Sequence, residues 1–252
     1  MKTPPDLDTF LDHTFFGLDT LSMLGDIEDF IVFSEENIEK QKRLELIRAT
    51  RECDDAQFED PYFAAQYRDQ TIDGICYRFD VSLTQRVRYA ALTSIITTIE
   101  WVLISLRNRA AFAIPEKPKD TNYAVHLLEV FNQKSSLDNT PQIQLIETLV
   151  QIRNCIVHAA GLLKSYKHGA DLRKRLSTFS GIKISNINFL DDGIEIERNY
   201  LLGVVEDTKR WLPNLEKVMH EKGLLKNFAH NFSIVRTHSG DTAIATKEPP
   251  CA

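Results

Sequence analysis

Apolar residues recur at helical spacing through the first half of this chain. In "LSMLGDIEDFIVFSEENIEKQKRLELIRAT", Leu21, Leu24, Ile27, Phe30 and Ile31 fall on one stripe of a helix. Glycine and proline are sparse before residue 160, so the pattern predicts helix almost throughout that half. Asp60-Pro61 marks a break, after which "DPYFAAQYRDQTIDGICYRF" offers Phe63, Tyr67 and Ile75 as one helical face interrupted by Gly74.

A cleaner segment begins at Ser82. In "SLTQRVRYAALTSIITTIEWVLISLRNRAAF" the Ser-x-x-Gln start resembles a capping box, and the middle is apolar on most faces, as a central bundle helix requires. The β-branched run Ile95-Ile96-Thr97-Thr98-Ile99 also suits a strand, but so long a segment without a turn residue favours a helix. "IPEKPKDTN" reads as a loop, followed by a short helix from Tyr123 to Gln133 and a second loop, "KSSLDNTP". Thr140 then caps, and Pro141 opens, another helix.

After Gly161 the period changes from helical to alternating. "SGIKISNINFLDDGIEIERNYL" predicts a β-hairpin near residues 181–197 that turns at Asp191-Asp192-Gly193. A helix from about Tyr200 to His220 follows, packing through Val204, Val205, Trp211, Leu212 and Leu215, with Pro213 as a point of kinking. The expected class is mainly α: a helical bundle with long N-terminal helices and one small hairpin. Its divisions are an acidic helical region over 1–80, a bundle with the hairpin over 81–222, and a loosely ordered tail over 223–252.

Composition narrows the possibilities. The four cysteines, Cys53, Cys76, Cys155 and Cys251, lie far apart without Cys-x-x-Cys spacing, which suggests neither a zinc site nor a disulfide framework and fits a reducing cytoplasm. The N-terminus is acidic and broken by prolines, and no stretch reaches the roughly eighteen uncharged apolar residues of a membrane span. The expectation is therefore a cytoplasmic protein without a membrane partner.

A net charge of −6 conceals an asymmetry: residues 1–60 hold 16 Asp/Glu against 6 Lys/Arg, and residues 61–252 hold 20 against 24. A solvated acidic helix explains the first figure, and the second leaves room for a basic patch that phosphates would meet. No Gly-rich phosphate loop, no Gly-x-Ser-x-Gly elbow and no metal-ligand spacing among the histidines occurs, so nothing calls for a metal or other cofactor.

The chemistry concentrates in "LVQIRNCIVHAAGLL". Leu145, Ile146, Leu149, Val150, Ile152, Ile156 and Val157 fill about half the circumference of this helix. Arg153 projects from within that arc and needs a carboxylate or an anion as partner. Asn154 and His158 are four apart, hence neighbours, and a long Arg153 side chain can converge on them. A cap or a satisfied surface residue is the ordinary reading of such a histidine. Glu100, the one carboxylate in "TTIEWVL", is either the partner of Arg153 or a residue on its helix's wet edge. Arg86 and Arg88 on the same helix face the cleft or solvent equally well.

Arg153-Asn154-Cys155-Ile156-Val157-His158 resembles the arginine, four residues, histidine motif of HEPN domains (higher eukaryotes and prokaryotes nucleotide-binding), including a polar residue directly after the arginine. The order of elements over residues 82–220 is similar to that of bacterial RNase-type members. The resemblance implies a HEPN-like helical bundle and a metal-independent endoribonuclease that acts as a homodimer on RNA. In that setting the RNA 2′-hydroxyl attacks the phosphate, so the protein must move protons and stabilise developing charge. His158 would be general acid or base, since imidazole is the side chain that ordinarily titrates nearest neutral pH. Arg153 would bind phosphoryl oxygens through its planar donor fork, and Asn154 would orient one or the other. Lys164, Lys167 and Arg173, with Tyr166 for base stacking, would form the RNA track; a solvated helix surface is the plainer reading of that segment. A toxin or defence role, with an antitoxin or regulatory protein as a further partner, is the biological setting implied. A non-catalytic member that binds a protein or nucleotide is the alternative, and a helical scaffold with a coincidental motif is the third.

Overall fold

A computed structural model describes residues 7–56, 58–187 and 190–226, with side chains described from residue 19 onward apart from the hairpin tip. The chain is mainly helical, with one two-stranded antiparallel hairpin. Helix α1 (Leu7–Asp55) is followed by α2 (Pro61–Cys76), a π-helical segment (Tyr77–Leu83) and α3 (Thr84–Arg109). Then come α4 (Tyr123–Ser135), α5 (Thr140–Ala159), a 3-10 turn (Leu163–Ser165), α6 (Gly169–Leu176), β1 (Ile182–Ile187), β2 (Leu190–Ile196) and α7 (Arg198–Glu221).

The β-branched run of α3 is helical because it is wanted on nearly all sides: Ile95, Ile96, Ile99, Val102, Leu103 and Leu106 are all buried. They pack against Leu24, Ile27 and Ile31 of α1, Leu127, Leu128 and Phe131 of α4, Ile146, Leu149 and Ile152 of α5, and Leu212 and Leu215 of α7, all members of one core. An apolar window within Pro61–Arg109 is long enough by composition to cross a membrane, and half of it is buried in this bundle.

Polar contacts fix the helix directions. Gln85 and Arg88 near the start of α3 bind Ile196 just before α7, and Arg109 at its end pairs at 2.7 Å with Glu216 near the end of α7, so α3 and α7 run parallel. Burial holds the Glu216 carboxyl above its ordinary range, an effect the Arg109 guanidinium opposes. Helix α1 runs the other way, placing Glu28 beside Lys209 and Glu35 beside Arg88.

Four sequence expectations are revised. Ser82 does not start a helix: the π segment carries α2 directly into α3, and Gln85 uses its side chain to accept from Ile196 N–H at 3.0 Å and donate to Ile196 C=O at 3.3 Å. Phe63 and Tyr67 do not share a buried face with Ile75, for they are 60% and 50% exposed while Ile75 packs with Phe79 in a small satellite cluster. Thr140 is the first residue of α5 rather than its cap; Asp138 accepts its N–H at 3.1 Å.

Asp191-Asp192-Gly193 lies within β2, not at the turn, because Gly193 is paired on both sides, with Ser185 of β1 and with Leu162. The left-handed φ of +70° at Asp192 is taken up next to an irregularity in the pairing between Ser185 and Ile187. Val204, Val205, Trp211, Leu212 and Leu215 are buried as expected, and α7 continues through Pro213. Of the tail expected over 223–252, residues 227–252 lie outside the described residues.

Candidate functional site

Helix α5 places Arg153, Asn154 and His158 on its outer side, while Ile152 and Cys155 of the same turns are fully buried. The helix ends where the chain turns left-handed, at Ala160 (φ 52°) and Gly161 (φ 80°). His158 is thus in the last turn and exposed.

At about 100° per residue, Arg153 and His158 project roughly 140° apart, with Asn154 between them. Their partners separate them further. Arg153 Nη2 donates to Glu100 Oε1 on α3 at 3.0 Å, and its Nε is buried without a partner. Both side chains of the pair keep partial access to solvent, 23% for Arg153 and 27% for Glu100. Asn154 instead lies beside the Tyr166 hydroxyl, whose own acidity burial has weakened. No hydrogen bond joins Arg153, Asn154 and His158 among themselves, so convergence of the three does not occur within one chain.

Around the Arg153–Glu100 pair the surface is apolar. Trp101 adjoins Glu100, Ile104 lies one turn beyond it and Val157 lies one turn beyond Arg153; they are 43%, 39% and 59% exposed. Side chains one turn apart share a helix face.

The wall behind the motif is set by α3 and the hairpin. Tyr89 donates its hydroxyl to Ile194 C=O and lies directly against the Cα of Gly161, where a β-carbon would collide with its ring. Ile194 N–H in turn donates to Gly161 C=O at 2.9 Å. Burial pushes the Cys155 thiol up to about 11 and raises the Tyr89 phenol as well. These groups are therefore a neutral, packed support and not nucleophiles.

Of the expected RNA track, Lys164 and Lys167 are exposed and make no ion pair with a described residue. Arg173 is ion-paired with Asp192, and Arg175 holds Glu147 by two bonds, at 2.9 and 3.1 Å. Tyr166 is half-buried, its ring edge-to-face with that of His168 at a centroid distance of 5.8 Å. Arg88 does not approach the motif: it binds Glu35 through two bonds, at 2.7 and 3.2 Å, while Arg86 is exposed beside α1.

Sequence reasoning missed Tyr89, because an aromatic in an apolar helix carries no local sign that a glycine 72 positions later will rest on it. Among the described residues, no group of three His, Cys, Asp or Glu side chains stands together as a metal site. Comparison with protein-family models, with curated proteins and with solved structures finds no match to this chain.

Proposed function

We propose that this protein is a metal-independent endoribonuclease of the HEPN type, with a site formed where two copies of α5 meet. The observation that carries the reading is the surface around Arg153: a guanidinium with partial access to solvent on a face bordered by Trp101, Ile104 and Val157, with His158 exposed on the same helix. An apolar border of this kind favours association, and a two-fold pairing presents each motif to its mate. It would supply from the second chain the convergence that one chain lacks.

In the reaction, one His158 removes the 2′-hydroxyl proton as that oxygen attacks phosphorus. The second protonates the departing 5′-oxygen, leaving a 2′,3′-cyclic phosphate and a 5′-hydroxyl end. Arg153 stabilises charge on the non-bridging oxygens once it exchanges Glu100 for phosphate. Asn154, beside Tyr166, orients the imidazole or the phosphate. Lys164 and Lys167 supply the salt-sensitive part of RNA affinity. A cytoplasmic toxin or defence effector restrained by an antitoxin is the setting we infer.

The Glu100 contact also favours a second reading, a non-catalytic module that binds a protein or nucleotide, because a neutralised arginine is the resting state of a structural pair. Incubation of purified protein with mixed RNA in excess chelator separates the two. Cyclic-phosphate ends that vanish in His158→Ala and in Arg153→Ala support the enzyme; cleavage surviving both substitutions removes the mechanism. Sedimentation of wild type and Trp101→Glu tests the dimer face.

A further inference from the structure

Beyond residue 50, α1 and α2 leave the bundle as a two-helix arm. Its last anchors are Ala49, Ile75 and Phe79, and none of the described residues from 50 to 74 is buried. The arm nevertheless carries Phe58, Tyr62, Phe63 and Tyr67, all exposed, with ring centroids 5.4 Å apart for Phe58–Tyr67 and 5.9 Å for Tyr62–Phe63. Its two helices are joined there by Arg68–Asp54 at 3.2 Å, an exposed pair that water and salt screen and that holds them only weakly. The four aromatics are 38–70% exposed, so about half of the area that each can bury, on the order of 150–250 Å², is still open to water. The arm is thus built to be covered.

Charge identifies the cover. Residues 51–73 hold 7 Asp/Glu against 2 Lys/Arg, so the aromatic face has an acidic rim and suits a basic surface. The chain itself contains one: residues 164–175 hold 5 Lys/Arg against 1 Asp. Lys164, Lys167 and Lys174 are exposed and free of ion pairs with described residues, which means that the arm's own acids do not reach them. Ammonium groups of this type also bind aromatic faces directly.

We propose that the arm of one copy docks its aromatic, acidic tip on the lysine-bearing surface at α6 of a second copy of this chain. Two-fold exchange of arms makes the contact reciprocal and closes it at a dimer. The contact covers the surface expected to hold RNA, but it does not depend on that reading, because charge and exposed aromatic area alone specify it.

Carbodiimide cross-linking of full-length protein, mixed from unlabelled and nitrogen-15-labelled preparations, tests the proposal without RNA. The expected products join a carboxylate of residues 51–73 to Lys164, Lys167 or Lys174 as peptides of mixed isotope. They are lost in Tyr62→Ser with Phe63→Ser and Tyr67→Ser, which leaves every reacting carboxylate and amine in place. Circular dichroism monitors the bundle in that variant. Products of a single isotope only would put the arm on its own bundle and overturn the proposal. So would mixed products that survive the aromatic substitutions, or no products between these segments.

Discussion

Replacing Glu100 by Gln separates the ion pair's two consequences. The substitution keeps an oxygen acceptor for Arg153 Nη2 and removes the negative charge that neutralises it. Two unit charges about 4 Å apart interact by roughly 4 kcal/mol at an effective dielectric of 20, which is a ceiling. A net charge-assisted bond contributes about 1.5–3 kcal/mol. The contact is a single bond, and the two side chains are about a quarter open to water, so the low end applies. If phosphate competes with Glu100 for Arg153, removing the competitor returns about 1.4 kcal/mol to binding, or a factor of ten. Glu100→Gln should therefore bind RNA about tenfold tighter while losing about 1 kcal/mol of folding stability.

The assay is fluorescence anisotropy with a fully 2′-O-methylated RNA, which cannot be cleaved, in chelator, alongside urea melts. The gain must disappear when Arg153→Met is added, as a double-mutant cycle requires of a coupled pair. Unchanged or weaker binding by Glu100→Gln would refute the competition. A gain that persists without Arg153 would show that general surface charge, not this pair, sets affinity.

Tyr166→Phe removes the hydroxyl beside Asn154 and leaves the ring in place; under the proposed ribonuclease function cleavage should fall about fivefold, with a loss of folding stability of at most about 1 kcal/mol in urea melts. Gly161→Ala combines a positive φ with a collision against Tyr89, and thermal denaturation should show a loss of about 1–3 kcal/mol. Cys155, fully buried with its thiol raised to about 11, should resist iodoacetamide at pH 8 while Cys53 and Cys76 react; mass mapping of native protein that finds Cys155 alkylated first would contradict the packing. Asp138 has its carboxyl held below the ordinary value by its hydrogen bonds to Thr140. Its contribution is present above the unfolded carboxyl's range and lost as pH falls through the lowered value. Amides in the first turn of α5 should then lose protection in strong acid, and Asp138→Ala should show that loss near neutral pH while matching wild type once Asp138 is protonated.

Local patterning was enough for most elements, since helices declare themselves through apolar period and end through turn residues. Asn122 before α4 and the Thr140-Pro141 start of α5 are examples of boundaries legible to within a residue or two. The hairpin was legible as an alternation, but its turn was misplaced by a tripeptide whose left-handed residue serves a strand irregularity. Gly193 is part of β2 through its pairing with Ser185, and it also bridges Leu162, thirty-one positions earlier, a contact that no local preference reports.

The candidate site divides in the same way. Sequence by itself determined that Arg153 stands among apolar residues and that a partly desolvated guanidinium needs a partner, while the structure turns Arg153 and Val157 of that arc to the outer side of α5. Sequence also determined which residues, Asn154 and His158, are one helical turn apart. Only the tertiary structure decided that Glu100 is the partner, that Tyr166 lies beside Asn154, and that Tyr89 underlies Gly161. Those choices depend on which helices pack side by side and in which direction, and packing is a property of the whole core rather than of any one segment's period.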